Sequence, residues 1–246
     1  MLVSRIAPAA VFSCAALLIL ALAPLGTALG WWHFGFGLYW MMPWSGYVAA
    51  TAVALAGATL ALGWSKLRPR GRLLLGAALV MGTVLAYVPW QYQRIRSTLP
   101  PIHDITTDTD SPPEFVTVLP ARAAESAGSV AYDHAKLPVL QRKAYPDLAP
   151  VMSAMPAASA FEQALGVAKA MPGWTIVAVD AQAGRIEASQ QSRWFRFTDD
   201  IVIRIASTEA GSRIDMRSTS RQGRSDYGVN AARIRAYMAA LHKALG

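Results

Sequence analysis

Cysteine is nearly absent from this chain, which has one such residue, Cys14, among its 246. A single cysteine excludes a disulfide within the chain and any metal site built from several thiolates. Acidic residues are also scarce, with 15 against 23 lysines and arginines, so the formal net charge is +8. That balance suits an acidic partner, but part of the positive charge lies beside apolar segments, where membrane orientation explains it.

The chain also lacks the short motifs that mark common catalytic centres. It contains no HExxH zinc motif, no GxSxG nucleophile turn, no P-loop and no glycine-rich dinucleotide turn between a strand and a helix. These absences exclude the enzyme classes that depend on those motifs. His103 and His134 are left as single side chains that can meet an aspartate or serine only through the fold.

Apolar residues make up 54% of the chain and give a mean hydropathy of +0.29. Three long runs before Arg94 are especially apolar, and each is close to or above the length that crosses a bilayer about 30 Å thick. The sequence therefore predicts a three-helix transmembrane region over residues 1–96 and a separate domain over residues 97–246. The predicted spans are residues 6–29, 47–64 and 73–90.

The first run has a second interpretation, as a cleavable signal peptide. Arg5 supplies the positive start of such a peptide, and Ala21-Leu22-Ala23 resembles a cleavage site. Pro24 follows directly and disfavours cleavage, and further apolar segments follow it. An uncleaved membrane span is the favoured interpretation.

Positive charge in the short loops predicts the orientation of the helices, because lysine and arginine are retained on the cytoplasmic side. The loop between the first and second runs has no charged residue, and the N-terminus carries Arg5. Arg94 and Arg96 oppose the pattern but are outnumbered. We expect the N-terminus in the cytoplasm and the C-terminal domain outside it. The strongest signal for this orientation is the loop between the second and third runs, which carries Lys66, Arg68, Arg70 and Arg72.

The segment before the second run is the most aromatic part of the chain, and it is predicted to be a loop. Amphipathic rings prefer the headgroup layer of a bilayer, so this segment is predicted to form an interfacial belt. A second interpretation is that it lines a lipid or quinone site or docks onto a partner subunit. His33 alone does not indicate a haem or metal ligand. The aromatic residues are Trp31, Trp32, Phe34, Phe36, Tyr39, Trp40, Trp44 and Tyr47.

The segment IHDITTDTDSPPEF, after the third run, concentrates side chains of the kind that bind metal ions. Calcium binds carboxylate oxygens, but its usual loop needs a glycine and a distant glutamate, and neither is correctly placed here. Aspartate and threonine side chains also bond to nearby backbone in turns, and turn chemistry is the favoured interpretation. The candidate metal ligands are His103, Asp104, Asp108 and Asp110.

The rest of the domain shows helical and strand periodicities in turn. Residues 116–156 hold several prolines and few periodic apolar positions, which indicates an extended covering segment. Helical spacing predicts a helix over 157–171 and a last helix with an apolar stripe over 227–245, capped by Ser225 or Asp226. The predicted fold is α+β, with three N-terminal transmembrane helices followed by an antiparallel sheet of four or five strands flanked by two helices.

Two of these strands are predicted to form a hairpin around Glu209-Ala-Gly-Ser. Arg204 on the first strand is expected to face Asp215 on the second, across the ladder. Alternation gives the hairpin one apolar face, which consists of Ile201, Ile203, Ile205, Ile214 and Met216.

The segments IHDITTDTDSPPEF, FTDDIVIRI and GSRIDMRSTSRQGRSDYGVNAARIRAYM, in this order, resemble the domain of unknown function 1499 family. The resemblance covers residues 100–245. It implies a bacterial or plastid protein and, for bacterial members, attachment to the membrane through N-terminal hydrophobic segments. It brings no established catalytic residue or substrate.

Arginine is concentrated near the C-terminus, where residues 185–235 hold ten arginines, no lysine and six acidic residues. One interpretation is a solvated basic sheet face. The other is an anion site near the N-terminus of the last helix, whose free N–H groups favour negative charge. Three arginines converge there in this interpretation, and three further residues orient the site or hold the loop to the sheet. The predicted ligand-binding residues are Arg217, Arg221, Arg224, Asp226, Asn230 and Arg233.

These patterns favour a binding protein or an accessory protein of an envelope complex, in the bacterial inner membrane with a periplasmic domain. The expected partners are the lipid bilayer, a membrane protein or a second copy of the chain, and an anionic ligand. Nucleic acid is not expected outside the cytoplasm, and no cofactor is predicted. The alternative is a metal-dependent or hydrolytic enzyme centred on His103, Asp104 and Asp108.

Overall fold

The computed structural model describes residues 3–245, except for the side chains of residues 3–6, which include Arg5. Residues 1–2 and 246, at the ends of the two predicted regions, lie outside the described residues. The described chain divides into two compact units, residues 3–97 with 193–196 and residues 98–192 with 197–245.

The first unit consists of helices. They are α1 (Val3–Ala28), the short α2 (Phe34–Phe36), a π-helical turn (Gly37–Met41), α3 (Met42–Gly63), a 3-10 turn (Trp64–Lys66) and α4 (Pro69–Thr98). The three predicted long apolar helices are confirmed. The stretches long and apolar enough to cross a membrane are Ala7–Ala28, Phe34–Lys66 and Pro69–Thr98.

The prediction of an aromatic loop is wrong, because most of that segment is helical. Residues 29–33 connect α1 to α2, and the N–H of Gly35 donates to His33 Nδ1 at 3.1 Å where α2 begins. Backbone inside a bilayer has to bond to itself, so an apolar aromatic segment favours helix over loop. Pro43 is compatible with this helix because it lies in the first turn of α3. The interfacial belt itself stays a prediction.

The second unit is built on one antiparallel sheet, with the strand order β1-β6-β5-β4-β3 and β2 also paired to β6. Its strands are β1 (Asp104–Thr106), β2 (Val151–Ser153), β3 (Trp174–Asp180), β4 (Arg185–Gln191), β5 (Thr198–Thr208) and β6 (Gly211–Ser220). The α+β class is confirmed. The helices are α5 (Leu119–Ala124), α6 (Leu137–Ala144), α7 (Ala157–Ala170) and α8 (Val229–Leu245).

One face of the sheet is apolar and packs against α7 and α8. Ile234 and Leu241 of α8 and Ala164 of α7 are fully buried in this core. The face is the predicted one, since strand alternation places its side chains on a single side. Its residues on β5 and β6, each at most 5% exposed, are Ile201, Ile203, Ile205, Ile214 and Met216.

The predicted hairpin is confirmed, with Thr208 paired to Gly211 at its closed end. Gly211 has a φ of +137°, a backbone conformation that residues with side chains rarely adopt. A Cβ atom at Gly211 would also meet the carbonyl oxygen of Ser153 on β2 at 2.2 Å. Glycine is therefore required both by the turn and by the pairing of β2 beside it.

The prediction of an extended segment over residues 116–156 is wrong where α5 and α6 form. Pro120 and Pro138 lie in the first turns of these helices. A proline in the first turn has no N–H to lose and a φ already suited to helix, so it begins a helix where elsewhere it would break one. The prolines counted against regular structure in this segment thus include one that starts α6.

The last helix, α8, begins at Val229, two residues later than the start of the predicted stripe. Tyr227 precedes the helix with a φ of +54°. The predicted cap is confirmed at Asp226, whose two oxygens accept the N–H groups of Gly228 at 3.0 Å and Asn230 at 2.6 Å. These bonds pair N–H groups at the helix start that have no partner within the helix.

Candidate functional site

The second face of the sheet carries charged side chains, and most of them are buried. Glu187, Asp200 and Asp215 are fully buried, while Arg217 and Arg221 are at most 8% exposed. The interpretation as a solvated basic face is therefore wrong. Segments outside the sheet, which include α5 and the residues before it, cover these charged side chains. They also supply hydrogen-bond partners for them.

Asp200 is the centre of a first ion-paired group. Its Oδ2 accepts from Arg122 Nη1 at 2.7 Å and from Arg221 Nε at 2.9 Å, and its Oδ1 accepts from Arg221 Nη2 at 2.8 Å. Arg221 Nη1 donates to Glu125 at 2.5 Å. Charges removed from water are costly unless each is paired and hydrogen-bonded, so this group is stable only when complete. It fastens α5 to β5 and to the end of β6.

Glu187 holds the segment that leads into α5. Its buried carboxylate accepts the backbone N–H groups of Val116, Thr117 and Val118 at 2.9 to 3.0 Å. Hydrogen bonds to an ionised acceptor are shorter and stronger than those between neutral groups. Val118 also packs on Val202 from β5. Glu187 therefore fixes the position of residues 116–118, which cover part of this face of the sheet.

A second ion-paired group joins β5, β6 and the turn after β1. Arg204 Nη2 donates to Asp215 at 2.9 Å and to Asp108 at 3.1 Å, and Arg213 bonds the same two carboxylates at 2.8 to 3.1 Å. The predicted pairing of Arg204 with Asp215 is confirmed. Burial raises the pKa of Asp108, but the backbone N–H groups of its turn and both guanidinium groups outweigh burial and hold that pKa below its ordinary value.

Arg217 is 3% exposed and is held by three acceptor groups. Its Nε and Nη2 bind the two carboxylate oxygens of Asp104 at 2.9 and 2.7 Å. Nη2 also donates to the carbonyl oxygen of Val130 at 2.6 Å, and Nη1 donates to that of Pro113 at 3.2 Å. A two-pronged pair of this kind fixes both the position and the plane of the guanidinium group.

A cleft of about 550 Å³ adjoins Arg217. The central guanidinium carbon lies 5.1 Å from the ring centre of Phe115 and 5.3 Å from that of Tyr132, within the range of cation–π attraction. The ring of His134 meets the Tyr132 ring edge-on, with centres 5.0 Å apart. Two exposed carboxylates, Asp110 and Glu114, also line the cleft.

The hydroxyl of Tyr132 is buried and has no hydrogen-bond partner among the described residues. Burial first, and the negative charge of Asp104 second, raise the pKa of Tyr132 far above its ordinary value, so the hydroxyl keeps its proton. A buried hydroxyl without a partner costs about 1–3 kcal/mol. A bound molecule that pairs with it would recover this free energy.

The structure separates the side chains of the predicted metal segment. Asp104, Asp108 and Asp110 each bind arginine side chains, and His103 Nδ1 is buried with no partner in the described chain. Among residues 3–245, no group of three or more His, Cys, Asp or Glu side chains is placed to hold a metal ion. Turn chemistry is confirmed, because Asp108 Oδ1 accepts the backbone N–H groups of Asp110 and Ser111 at 3.1 and 2.9 Å.

The six predicted ligand-binding residues do not form one group: Asp226, Asn230 and Arg233 are joined by hydrogen bonds through Asn230, whereas Arg217, Arg221 and Arg224 lie outside that set. Arg217 lines the cleft, and Arg221 belongs to the ion-paired group of Asp200. Asp226 caps α8. Arg224 is exposed, and it forms no hydrogen bond or ion pair with another described residue. A ligand contact by these residues stays a prediction.

The other two predicted residues, Asn230 and Arg233, connect α8 to the sheet. Arg233 donates to Asp199 at 2.6 Å and to Ser218 at 3.0 Å. Asn230 accepts from Ser218 Oγ at 2.7 Å and donates to the carbonyl oxygen of His103 at 2.8 Å. These bonds hold the start of α8 on β6 and on the chain before β1, which is the structural role that the sequence left open for them.

The sequence predicts Arg217 as a ligand-binding residue and singles out His134, but it does not indicate that Phe115 and Tyr132 are neighbours of Arg217. The signal present in the sequence was a pair of aromatic residues inside proline-rich segments without clear periodicity. Such segments have no sheet or helix face of their own, so their rings have to pack on something else. Spacing alone does not indicate which distant residue they contact.

A family model described as a protein of unknown function (DUF1499) matches residues 104–241. A search of curated proteins gives no match. Among solved structures, the crystal structure of protein CV1439 from Chromobacterium violaceum shares 11% sequence identity, with a TM-score of 0.24. That similarity covers 39% of this chain and 91% of the other chain, and at such a score it carries no argument about the fold.

Proposed function

The chain belongs to the DUF1499 family of proteins of unknown function, and we propose that it is a membrane-anchored binding protein with its ligand site in the cleft beside Arg217. The observation that carries the proposal is Tyr132, which lines this cleft and whose buried hydroxyl has no hydrogen-bond partner among the described residues. Nearly all buried polar groups in folded proteins are paired. An unpaired one beside an open cleft therefore supports a partner that comes from solution.

Arg217 contributes a second donor to the same place. A guanidinium group has five N–H groups. Two of them bind Asp104, one binds Val130 and one binds Pro113, which accounts for four and leaves one N–H on Nη1. Arg217 and Tyr132 both line the cleft, and each has one donor without a partner among the described residues.

These donors suit an oxygen-rich group such as a carboxylate or a phosphate, which agrees with the predicted anionic ligand. The carboxylate of Glu114 lines the same cleft and favours a positive charge nearby, while that of Asp110 is paired with Arg142. A small ligand with charges of both signs matches both parts. Phosphorylethanolamine, free amino acids and zwitterionic lipid headgroups share this chemistry.

Identification of the small molecules and lipids that copurify with the full-length protein in mild detergent tests the proposal. Tyr132→Phe removes the buried hydroxyl of a residue that lines the cleft. Tyr145→Phe is the matched control, since its hydroxyl is also buried with no partner in the described part of the chain, but Tyr145 does not line the cleft. We expect a zwitterionic molecule with the wild type and with Tyr145→Phe, and its loss from Tyr132→Phe. Equal retention by all three proteins would overturn the proposal.

The predicted loop before α8 has its own variant. Arg221, Asp226, Asn230 and Arg233 are engaged in the fold, so Arg224 is the member of that set that can be replaced at little structural cost. Loss of the ligand from Arg224→Gln, together with its retention by Tyr132→Phe, would move the ligand site from the cleft to this loop.

The location proposed for the protein is the bacterial inner membrane, with the N-terminus in the cytoplasm and the domain in the periplasm. Three helices of sufficient length and apolar character support membrane anchoring. The basic residues around the connection between α3 and α4 support a cytoplasmic position for that connection. An alkaline phosphatase fused to the C-terminus should be active. An inactive phosphatase, with a cytoplasmic reporter active in its place, would refute the orientation.

A further inference from the structure

The loop between β4 and β5 differs in composition from the two strands that it joins. Residues 192–197 read Ser-Arg-Trp-Phe-Arg-Phe, with two arginines and no acid. Trp194 is 68% exposed, and Arg193 and Arg196 are exposed on either side of it. Trp174, on β3, is by contrast half-buried and stacked on a core tyrosine. The loop therefore exposes a large aromatic ring between two positive charges.

Hydrogen bonds close the base of this loop. The N–H of Ser192 donates to the carbonyl oxygen of Phe197 at 2.7 Å, and the N–H of Phe197 donates to Ser192 Oγ at 2.8 Å. Between them, Arg196 has a φ of +59°, which costs free energy for a residue with a side chain. The Arg193 guanidinium lies 5.7 Å from the ring centre of Trp194. The loop thus has a defined shape with its ring at the surface.

Arg193 and Arg196 lack the carboxylate partners that most other arginines after Thr98 have. Neither forms an ion pair with a carboxylate among the described residues, whereas nine arginines after Thr98 do so. Those nine positive charges are neutralised within the domain. The two loop arginines are available for an anion outside it.

Exposed tryptophan next to arginine is typical of segments that lie at a lipid surface. The indole ring prefers the headgroup layer, and a guanidinium group is attracted to anionic lipid phosphates. Residues 99–103 connect α4, which is long and apolar enough to cross a membrane, to β1. A connector of this length reaches about 20 Å at full extension. If α4 spans a bilayer, such a short tether gives the lipid surface a high effective concentration at the loop.

We propose that the loop of residues 192–197 binds the surface of the bilayer, with Trp194 in the headgroup layer and with Arg193 and Arg196 on anionic lipid phosphates. This surface is independent of the cleft at Arg217. It gives the domain a second, non-covalent attachment to the membrane.

Fluorine NMR of the full-length protein, labelled with 5-fluorotryptophan and placed in lipid nanodiscs, tests this inference. Trp194→Phe assigns the Trp194 resonance by its disappearance, and Trp174 serves as the internal reference within the domain. Phosphatidylcholine discs are compared with discs that also contain phosphatidylglycerol, each with a trace of lipid spin-labelled at the headgroup. In the discs with phosphatidylglycerol we expect the spin label to broaden the Trp194 resonance and to leave that of Trp174 sharp.

Charge variants test the role of the two arginines. Arg193→Gln and Arg196→Gln should each lower the bound-to-free ratio of the loop about fivefold in the anionic discs. Arg142→Gln, which changes an exposed arginine elsewhere in the domain, should not alter it. A Trp194 resonance as sharp as that of Trp174 would overturn the inference, as would equal broadening in both kinds of disc. Broadening or shifts that require two protein copies per disc would assign the loop to a self-interface and also overturn it.

Discussion

The two faces of the domain's sheet are both buried, but by opposite chemistry. The first packs isoleucine and methionine against α7 and α8. The second joins charged side chains in ion pairs with one another and with segments that cover it from outside the sheet. Apolar contact is non-directional, whereas ion pairs require particular distances and angles. The first face thus supplies stability, and the second supplies fixed positions for the groups at the cleft.

The largest effect is expected from breaking the second face at Asp200. Asp200→Asn leaves Arg122 and Arg221 without their shared carboxylate, and such a loss costs about 3–5 kcal/mol. Urea unfolding of the full-length protein in detergent measures this loss, with hydrogen exchange of the β5 and β6 amides as the readout. On the first face, Ile203→Ala should cost about 2–5 kcal/mol through the cavity that it creates.

The two faces are distinguished by rescue. Replacing Arg122, Asp200 and Arg221 together by Leu, Leu and Met removes the charges as well as their pairs. Buried ion pairs exchanged as a set for apolar residues are often neutral or gain about 1–4 kcal/mol, so the triple variant should be more stable than Asp200→Asn. A triple variant less stable than the single one would show that the second face depends on these charges for stability itself.

Glu187→Gln tests whether that face positions its cover. The amide has one acceptor oxygen in place of the two that receive N–H groups, so we expect a loss of about 1–3 kcal/mol. Amide exchange should accelerate at Val116, Thr117 and Val118, while the core amides of α7 keep most of their protection. Uniform acceleration across both faces would contradict a local role for Glu187.

The pH dependence of stability should come in part from Asp108. Its folded pKa is below the value of about 3.9 for an unfolded aspartate, so its contribution is present above that pH and is lost as pH falls through the folded pKa. Asp108→Asn should therefore have a lower urea midpoint than the wild type at pH 7. On acidification to about pH 3, the urea midpoint of the variant should fall by less than that of the wild type. Parallel pH profiles for the two proteins would contradict this assignment.

The smallest effect is expected at the edge of the second face, where Arg142 and Asp110 form an exposed pair with side chains 60% and 84% exposed. Exposed pairs contribute about 0–1 kcal/mol, so Arg142→Gln should leave the urea midpoint nearly unchanged. A loss as large as that of Glu187→Gln would show that burial is not what separates strong pairs from weak ones in this domain.

The two faces also differ in how far the sequence predicts them. Period-2 alternation shows directly which isoleucines of β5 and β6 share a face, because that pattern is local. The sequence predicts Arg217 as a ligand-binding residue, but its partners Asp104 and Val130 are 113 and 87 positions away in the chain. No local period records such a contact. The helices α5 and α6 were missed for a different reason. A proline is compatible with the first turn of a helix but breaks a helix elsewhere, so the prolines near the starts of α5 and α6 did not indicate helix.

The binding role of the cleft is tested most directly by calorimetric titration of phosphorylethanolamine into the full-length protein and its two tyrosine variants. We predict that Tyr132→Phe weakens binding about tenfold, as expected for one lost hydrogen bond to a charged group, while Tyr145→Phe binds like the wild type. Equal affinities for the two variants, or binding equally weak in all three proteins, would contradict a ligand site at Tyr132 and Arg217.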